Sequence, residues 1–143
     1  MSDSYDCIVI GGGGAGLAAA YSASTSGASV ALLERRPQAG GTTGIAVGSF
    51  TAAGTRWQKR AGIDDNPADH AEDVALFADP GIEARNNEPL RRFFLEHAAE
   101  TLHWLQEELG LNYVGPSPEP PNRCPRMHNV VPGAKAYVAR FQL

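Results

Sequence analysis

Cysteine is scarce in this chain. Its two residues, Cys7 and Cys124, are far apart and in no metal-like spacing. That excludes a disulfide framework and gives no zinc signature. Cys7 opens an apolar run and reads as a small buried residue. Positive charge is not in excess either: 12 Lys and Arg stand against 16 Asp and Glu, a formal net charge of −4. There is therefore no basic footprint for nucleic acid and no cationic helix for a membrane surface. No apolar stretch approaches the roughly 20 residues needed to span a bilayer. The acidic, polar opening "MSDSYD" does not have the character of a signal peptide. These absences lead to the expectation of a cytoplasmic protein in a reducing compartment.

What remains is globular. Apolar residues make up 43% and charged residues 20% of 143 positions, enough for one domain with a real core. Composition shifts along the length. Eleven of the 16 glycines precede residue 55, and nine of the ten prolines follow residue 66. The first part reads as glycine-rich α/β, to about residue 55; the second, 56–143, reads as helices joined by proline-bearing loops.

Tyr5 to Ile10 carries β-branched Ile8, Val9 and Ile10 between polar and glycine punctuation, the pattern of a buried strand. Gly14 to Ser26 is alanine-rich, with Leu17, Ala20 and Tyr21 at helical spacing and Gly27 placed to end the helix. Ser29 to Glu34, "SVALLE", reads as a second buried strand. Strand, helix and strand within about 30 residues make a parallel βαβ unit.

Further on, Asn66 is a helix cap with Pro67 at the first helical position, predicting a helix to Phe77. A longer helix follows Asn87. Its apolar stripe is Leu90, Phe93, Phe94, Ala98, Leu102, Leu105 and Leu109, and Gly110 suits its end. Trp57, Phe93, Phe94 and Trp104 are expected in the core. Six prolines between Gly115 and Pro132 predict a loop there, followed by a short helix from Lys135 to Leu143.

The candidate site lies at the first turn. Gly11, Gly13 and Gly16 satisfy G-x-G-x-x-G directly after a strand and at the start of a helix. Gly11 allows the sharp turn, Gly13 the approach of backbone to a pyrophosphate, and Gly16 the close contact of helix with strand. The helix mouth then offers free N–H groups and a positive dipole end to phosphates. Glu34 ends the second strand 23 residues after Gly11, where a carboxylate can accept hydrogen bonds from an adenosine ribose diol. An acid there fits FAD or NAD better than NADP. Arg35 and Arg36 could speak for NADP, but two arginines after a strand are also an ordinary solvated loop start. A second cluster, "GGTTGIAVGSF", adds another backbone cradle just after the acid and favours FAD.

From Tyr5 to about Thr55 the chain resembles the FAD-binding domain of the flavoprotein family of fumarate reductases and succinate dehydrogenases. L-aspartate oxidases and 3-ketosteroid dehydrogenases belong to the same family. The resemblance rests on Gly11 to Gly16, Glu34, Gly40-Gly41-Thr42-Thr43 and Gly48-Ser49. The later stretch "NNEPLRRFFLEHAAETLHWLQEELGLNY" is similar to a family helix that leads toward a cap region.

The resemblance implies that Gly11, Gly13, Gly14, Ala15 and Gly16 meet the pyrophosphate. It places Glu34 on the ribose with Arg35 beside it, and lines the cofactor with Gly40, Gly41, Thr42, Thr43 and Gly48. Membrane-bound members carry a flavin-linking histidine where this sequence has Thr42, so FAD would be held without a covalent bond. The resemblance further implies an FAD-dependent oxidoreductase acting at a C–C bond beside an electron-withdrawing group. It would take a small-molecule substrate and an electron donor or acceptor. Remaining strands and substrate-binding residues would come from further polypeptide, so this chain is expected to be the N-terminal portion of an incomplete domain and inactive alone. A NAD(P)-dependent dehydrogenase and a non-catalytic nucleotide-binding fragment are the alternatives. Of four histidines, His70, His97 and His103 read as ordinary helix residues. His128, in a proline-bracketed loop beside Arg123 and Arg126, is the one candidate to approach flavin or substrate.

Overall fold

The computed structural model describes residues 4–142. Met1–Asp3, part of the polar opening, and Leu143, the end of the expected last helix, lie outside the described residues. In chain order the elements are β1 (Cys7–Ile10), α1 (Gly14–Thr25), β2 (Val30–Leu33), β3 (Ser49–Thr51), α2 (Arg56–Arg60) and α3 (Pro67–Val74). There follow α4 (Pro80–Glu83), α5 (Glu88–Glu107), β4 (Asn112–Ser117), β5 (Met127–Val131) and α6 (Lys135–Phe141). They form two compact units. One runs to Gly48 and resumes at Val131; the other is Ser49–Val130. Among the described residues no helix is long and apolar enough to cross a membrane.

In the first unit β1 and β2 pair in parallel, Cys7 opposite Val30 through Ile10 opposite Leu33, with α1 as the crossover. The Asp6 carboxylate accepts from the Ser29 amide at 2.9 Å and hydroxyl at 2.6 Å, which fixes where the two strands start. Both strands were expected to be buried, and they are not. Ile8 is 59% exposed, Ile10 84% and Leu33 55%. A two-stranded sheet has too few neighbours to cover both faces. Cys7 is correspondingly only half-buried. Leu17, from the helix pattern, is buried at the α1 contact.

In the second unit, local signals set the helices. The Asn66 side chain accepts from the Asp69 amide and Pro67 opens α3, which tightens into a 3-10 turn over Ala75–Phe77. Asn87 caps α5 by accepting from the Leu90 amide. The Leu111 amide reaches back to the Leu105 carbonyl past Gly110, closing that helix. Ala98 and Leu102 of α5 pack with Ala52, flanked by Phe50, Trp57 and Tyr113.

Two expectations fail here. Leu90, Phe93 and Phe94 are 60–62% exposed, while Leu95, outside the expected stripe, is buried. The covered face of α5 begins with Arg91, whose side chain is 13% exposed, and continues through Leu95, Ala98, Leu102 and Leu105, so periodicity located the helix but misplaced its buried face in the first turns. The Gly115–Pro132 segment is also not wholly a loop. Its ends lie in β4 and β5, and β5 is the middle strand of a β3-β5-β4 sheet. Pro116 and Pro132 fall within β4 and just past β5, so neither removes an amide from the central strand.

Behind this sheet lies a polar core that the sequence did not announce. Arg126 is fully buried; its Nε and Nη2 donate to Asp65 at 2.7 and 2.8 Å, and Nη1 donates to Asp73 and to Asn122. Burial alone would raise the Asp73 carboxyl, but the Arg123 amide and the Arg126 and Arg123 guanidinium groups hold it at about 2. Beside them His70 is only 2% exposed; burial and the Arg126 charge push its imidazole down to about 4.

Two measurements test this core. Arg126→Met should destabilise the chain by about 3–5 kcal/mol in urea unfolding, because two buried carboxylates lose their cation. Loss below about 1 kcal/mol would mean the carboxylates are not committed to the pair. His70 is neutral when folded and takes up a proton near pH 6.5 when unfolded. Stability should thus be full above about 6.5 and fall as pH drops toward 4, by about 3 kcal/mol from this residue. A His70→Gln chain should show a visibly shallower fall over the same window.

Candidate functional site

The site is built at the carboxyl ends of β1 and β2. Gly11 turns the chain out of β1 with φ +103°, and its amide still donates to the Leu33 carbonyl at 2.8 Å. α1 starts three residues later, lying so close that a Cβ on Gly16 would collide with the Gly11 carbonyl. Gly11 is demanded by its left-handed backbone and Gly16 by packing, both internal to the fold.

Gly13 is different. Its backbone is ordinary, φ −76° and ψ −179°, and an added Cβ would meet no protein atom within 4 Å. Nothing inside the fold requires glycine there. α1 has no side-chain cap. Among the described residues the Gly14 amide finds Thr43 Oγ1 at 3.2 Å, while the first-turn amides of Ala15 and Gly16 have no protein acceptor. The mouth of α1 is therefore partly unsatisfied and open.

Glu34 closes the turn from the other side. Its Oε2 accepts from the Gly12 amide at 2.8 Å and its Oε1 from the Arg36 amide at 2.9 Å. The Arg36 and Gly12 amides lower its pKa, so the group is a carboxylate with acceptor capacity left over. The Gly40 amide donates to the Gly12 carbonyl at 2.6 Å and Gly40 bridges Gly13, bringing the second glycine cluster against the first.

Between them lies a cavity of about 450 Å³ lined by Gly11, Glu34, Arg35, Gly41 and Thr42, with Ile10, Leu33 and Ile45 as apolar walls. That volume suits part of a cofactor. Of the residues expected at the site, these five share one cavity. Gly13, Gly14, Ala15 and Gly16 form the helix mouth; Gly40 and Thr43 brace it from within. Gly48 is buried elsewhere in this unit, its carbonyl accepting from the Tyr137 hydroxyl at 3.4 Å. Sequence reasoning missed Gly12, whose Cβ would strike Ala39 at 2.9 Å. It also missed the three apolar wall residues. The signal for Ile10 and Leu33 was the end of each strand, where β/α turns gather ligands; Ile45, in the short 3-10 turn Thr43–Ile45, had none.

His128 is not on a loop. It sits in β5 opposite Phe50, fully buried, with Nε2 3.1 Å from Thr55 Oγ1 and its ring 5.3 Å from that of Trp57. Burial lowers its pKa, and its Nδ1 is buried without a hydrogen-bond partner among the described residues. His103 lies against Trp57 and accepts from the Arg56 amide, and His97 is exposed on α5.

Comparison with known proteins places this geometry. The chain is 40% identical over 104 residues to the NADH:fumarate oxidoreductase of Klebsiella pneumoniae (strain 342), a match covering 73% of this chain and 11% of that protein. The open conformation of a flavocytochrome c3 fumarate reductase superposes with a TM-score of 0.84 at 28% identity, over 99% of this chain and 25% of the other. The 3-ketosteroid-delta4-(5alpha)-dehydrogenase from Rhodococcus jostii RHA1 gives a TM-score of 0.74 at 25% identity, over 96% of this chain and 35% of the other. The chain thus spans between a tenth and about a third of the length of these relatives. A family model described as FAD binding domain matches residues 6–134. With a strand-turn-helix mouth, a strand-end carboxylate and an open Gly13, the chain belongs to the FAD binding domain family.

Proposed function

We propose that this chain supplies the ADP-binding part of an FAD-dependent oxidoreductase. Bound FAD would supply hydride transfer at flavin N5, to or from a C–C bond beside an electron-withdrawing group, as expected of a relative of fumarate reductases and ketosteroid dehydrogenases. The chain's own residues hold and orient. The Ala15 and Gly16 amides and the positive end of α1 receive the pyrophosphate, and Glu34 accepts from the ribose hydroxyls while staying fixed by Gly12 and Arg36. Thr42 and Gly41 border the cofactor with Arg35, and Thr43 and Gly40 keep the second cluster in place. Gly48 contributes through the Tyr137 contact that anchors the end of that cluster. With Thr42 where membrane-bound relatives carry a linking histidine, attachment is non-covalent.

The observation that carries this reading is Gly13: a glycine that neither backbone strain nor packing explains, at the place where a diphosphate would cross the helix mouth. The Ala15 and Gly16 amides that follow it have no acceptor among the described residues, and the Glu34 carboxylate is bonded to the Gly12 amide that precedes it. The substrate is a small molecule, and an electron donor or acceptor completes the cycle. The two unpaired cysteines, both half-buried, suit a reducing compartment, and we place the protein in the cytoplasm. Exposed Ile8, Ile10 and Leu33 on a two-stranded sheet support an incomplete domain, with the substrate-binding groups supplied by further polypeptide.

Gly13→Ala should leave the melting temperature of the chain nearly unchanged and weaken FAD binding at least tenfold by fluorescence titration. Unchanged FAD affinity would remove the main support for the reading. Glu34→Ala should weaken FAD by tenfold or more, about 1.4 kcal/mol, yet leave any FMN affinity alone, since FMN lacks the adenosine ribose. Equal loss for both ligands would count against the ribose role. Mixed with FAD and an artificial electron acceptor, the wild-type chain should bind flavin without turning over; turnover would show the chain to be catalytically complete.

A further inference from the structure

The second unit contains a cleft that the flavin reading does not use. It measures about 290 Å³ and lies between α3, the start of α5 and the segment after β4. Val74, Phe77, Phe94 and Leu95 make its apolar wall. Two of its polar lining groups are unusual. His70 Nδ1 and Asn122 Nδ2 are both buried, and neither has a hydrogen-bond partner among the described residues. Buried polar atoms are nearly always paired, so two orphans in one cleft call for an explanation.

The orientation of the Asn122 amide is fixed by its surroundings. Asn122 Oδ1 accepts from Arg126 Nη1 at 2.9 Å. A guanidinium has only donors, so the amide cannot be turned the other way, and Nδ2 is left as a donor. His70 is a neutral ring at neutral pH and carries one N–H. The cation of the cleft is already matched, and its lining carboxylate Glu119 has only a neutral hydroxyl as partner among the described residues, so the cleft does not favour a further anion. Arg91, its lining cation, places both Nη atoms on Glu83 at 2.7 Å, and Glu119 accepts from the Thr51 hydroxyl at 3.4 Å. A carboxylate ligand would have to displace Glu83. A carbonyl oxygen needs no such exchange and offers two lone pairs.

We propose that this cleft is a binding site for a small uncharged molecule consisting of an apolar ring and a carbonyl group, the ring against Phe77 and Phe94 and the carbonyl oxygen on Asn122 Nδ2 and the His70 ring. The argument uses residues of the second unit alone and is independent of FAD.

The test is a titration of the ¹⁵N-labelled chain, without flavin, with acetophenone and with ethylbenzene, which keeps the ring and lacks the carbonyl. Acetophenone should give saturable shifts of the Asn122 side-chain amide and the His70 imidazole, with an affinity at least tenfold above that of ethylbenzene. Asn122→Leu should erase the difference between the two ligands. Because that variant also frees Arg126, Phe94→Trp is the companion: the side chain is largely exposed, and the larger ring should block both ligands while the remaining spectrum is kept. Absence of saturable shifts, equal affinity for the two ligands, or shifts confined to residues outside the cleft would each overturn the proposal.

Discussion

The first unit depends on a contact that only glycine permits. With hydrogen at Gly16, α1 comes down on the turn out of β1 until it touches the Gly11 carbonyl. That proximity aims the first amides of the helix at the space above the strand ends, and other groups then lock around it. Glu34 reaches from the end of β2 to the Gly12 amide, Gly40 donates to the Gly12 carbonyl, and Thr43 receives the Gly14 amide. These bonds tie two further stretches of chain, the end of β2 and the second glycine cluster, to the same four-glycine turn. The cradle is built before any ligand arrives, so binding need not be charged for ordering it.

The second unit is organised by charge taken out of water. Arg126 on the way into β5 is held by Asp65 from the α2–α3 connection and by Asp73 from α3. Burying three ions is unfavourable, and such an arrangement persists because removing any one partner is worse. It also decides orientation elsewhere: Asn122 faces as it does because Arg126 can only donate. Thr55 serves two neighbours in the same way, capping α2 through the Gln58 amide and meeting His128 with the same hydroxyl. Specific geometry here comes from polar groups that have one way to be satisfied.

Local chemistry was legible from the start. The strand-turn-helix with its terminal acid, the Asn66-Pro67 and Asn87 helix starts and the Gly110 ending depend on residues within a few positions of one another, and each stands in the structure as read. Phe93 and Phe94 show where such reading stops. Their spacing belongs to an amphipathic helix, yet which side is covered depends on what lies opposite, and the structure covers Arg91 and Leu95 instead. Proline density misled for a related reason: its effect on a strand depends on which amides the neighbours need, and β5 keeps prolines out of its paired positions.

The sequence by itself determined the parallel βαβ unit, the glycine mouth and the carboxylate beside it, because backbone conformation, capping and close approach are set by short-range sterics. Tertiary structure alone decided that Arg126 would find Asp65 and Asp73, 61 and 53 positions away, and that His128 would be sealed in a sheet. Desolvation and pairing of distant charges are properties of the packed state. A chain read residue by residue has no dielectric interior in which to weigh them.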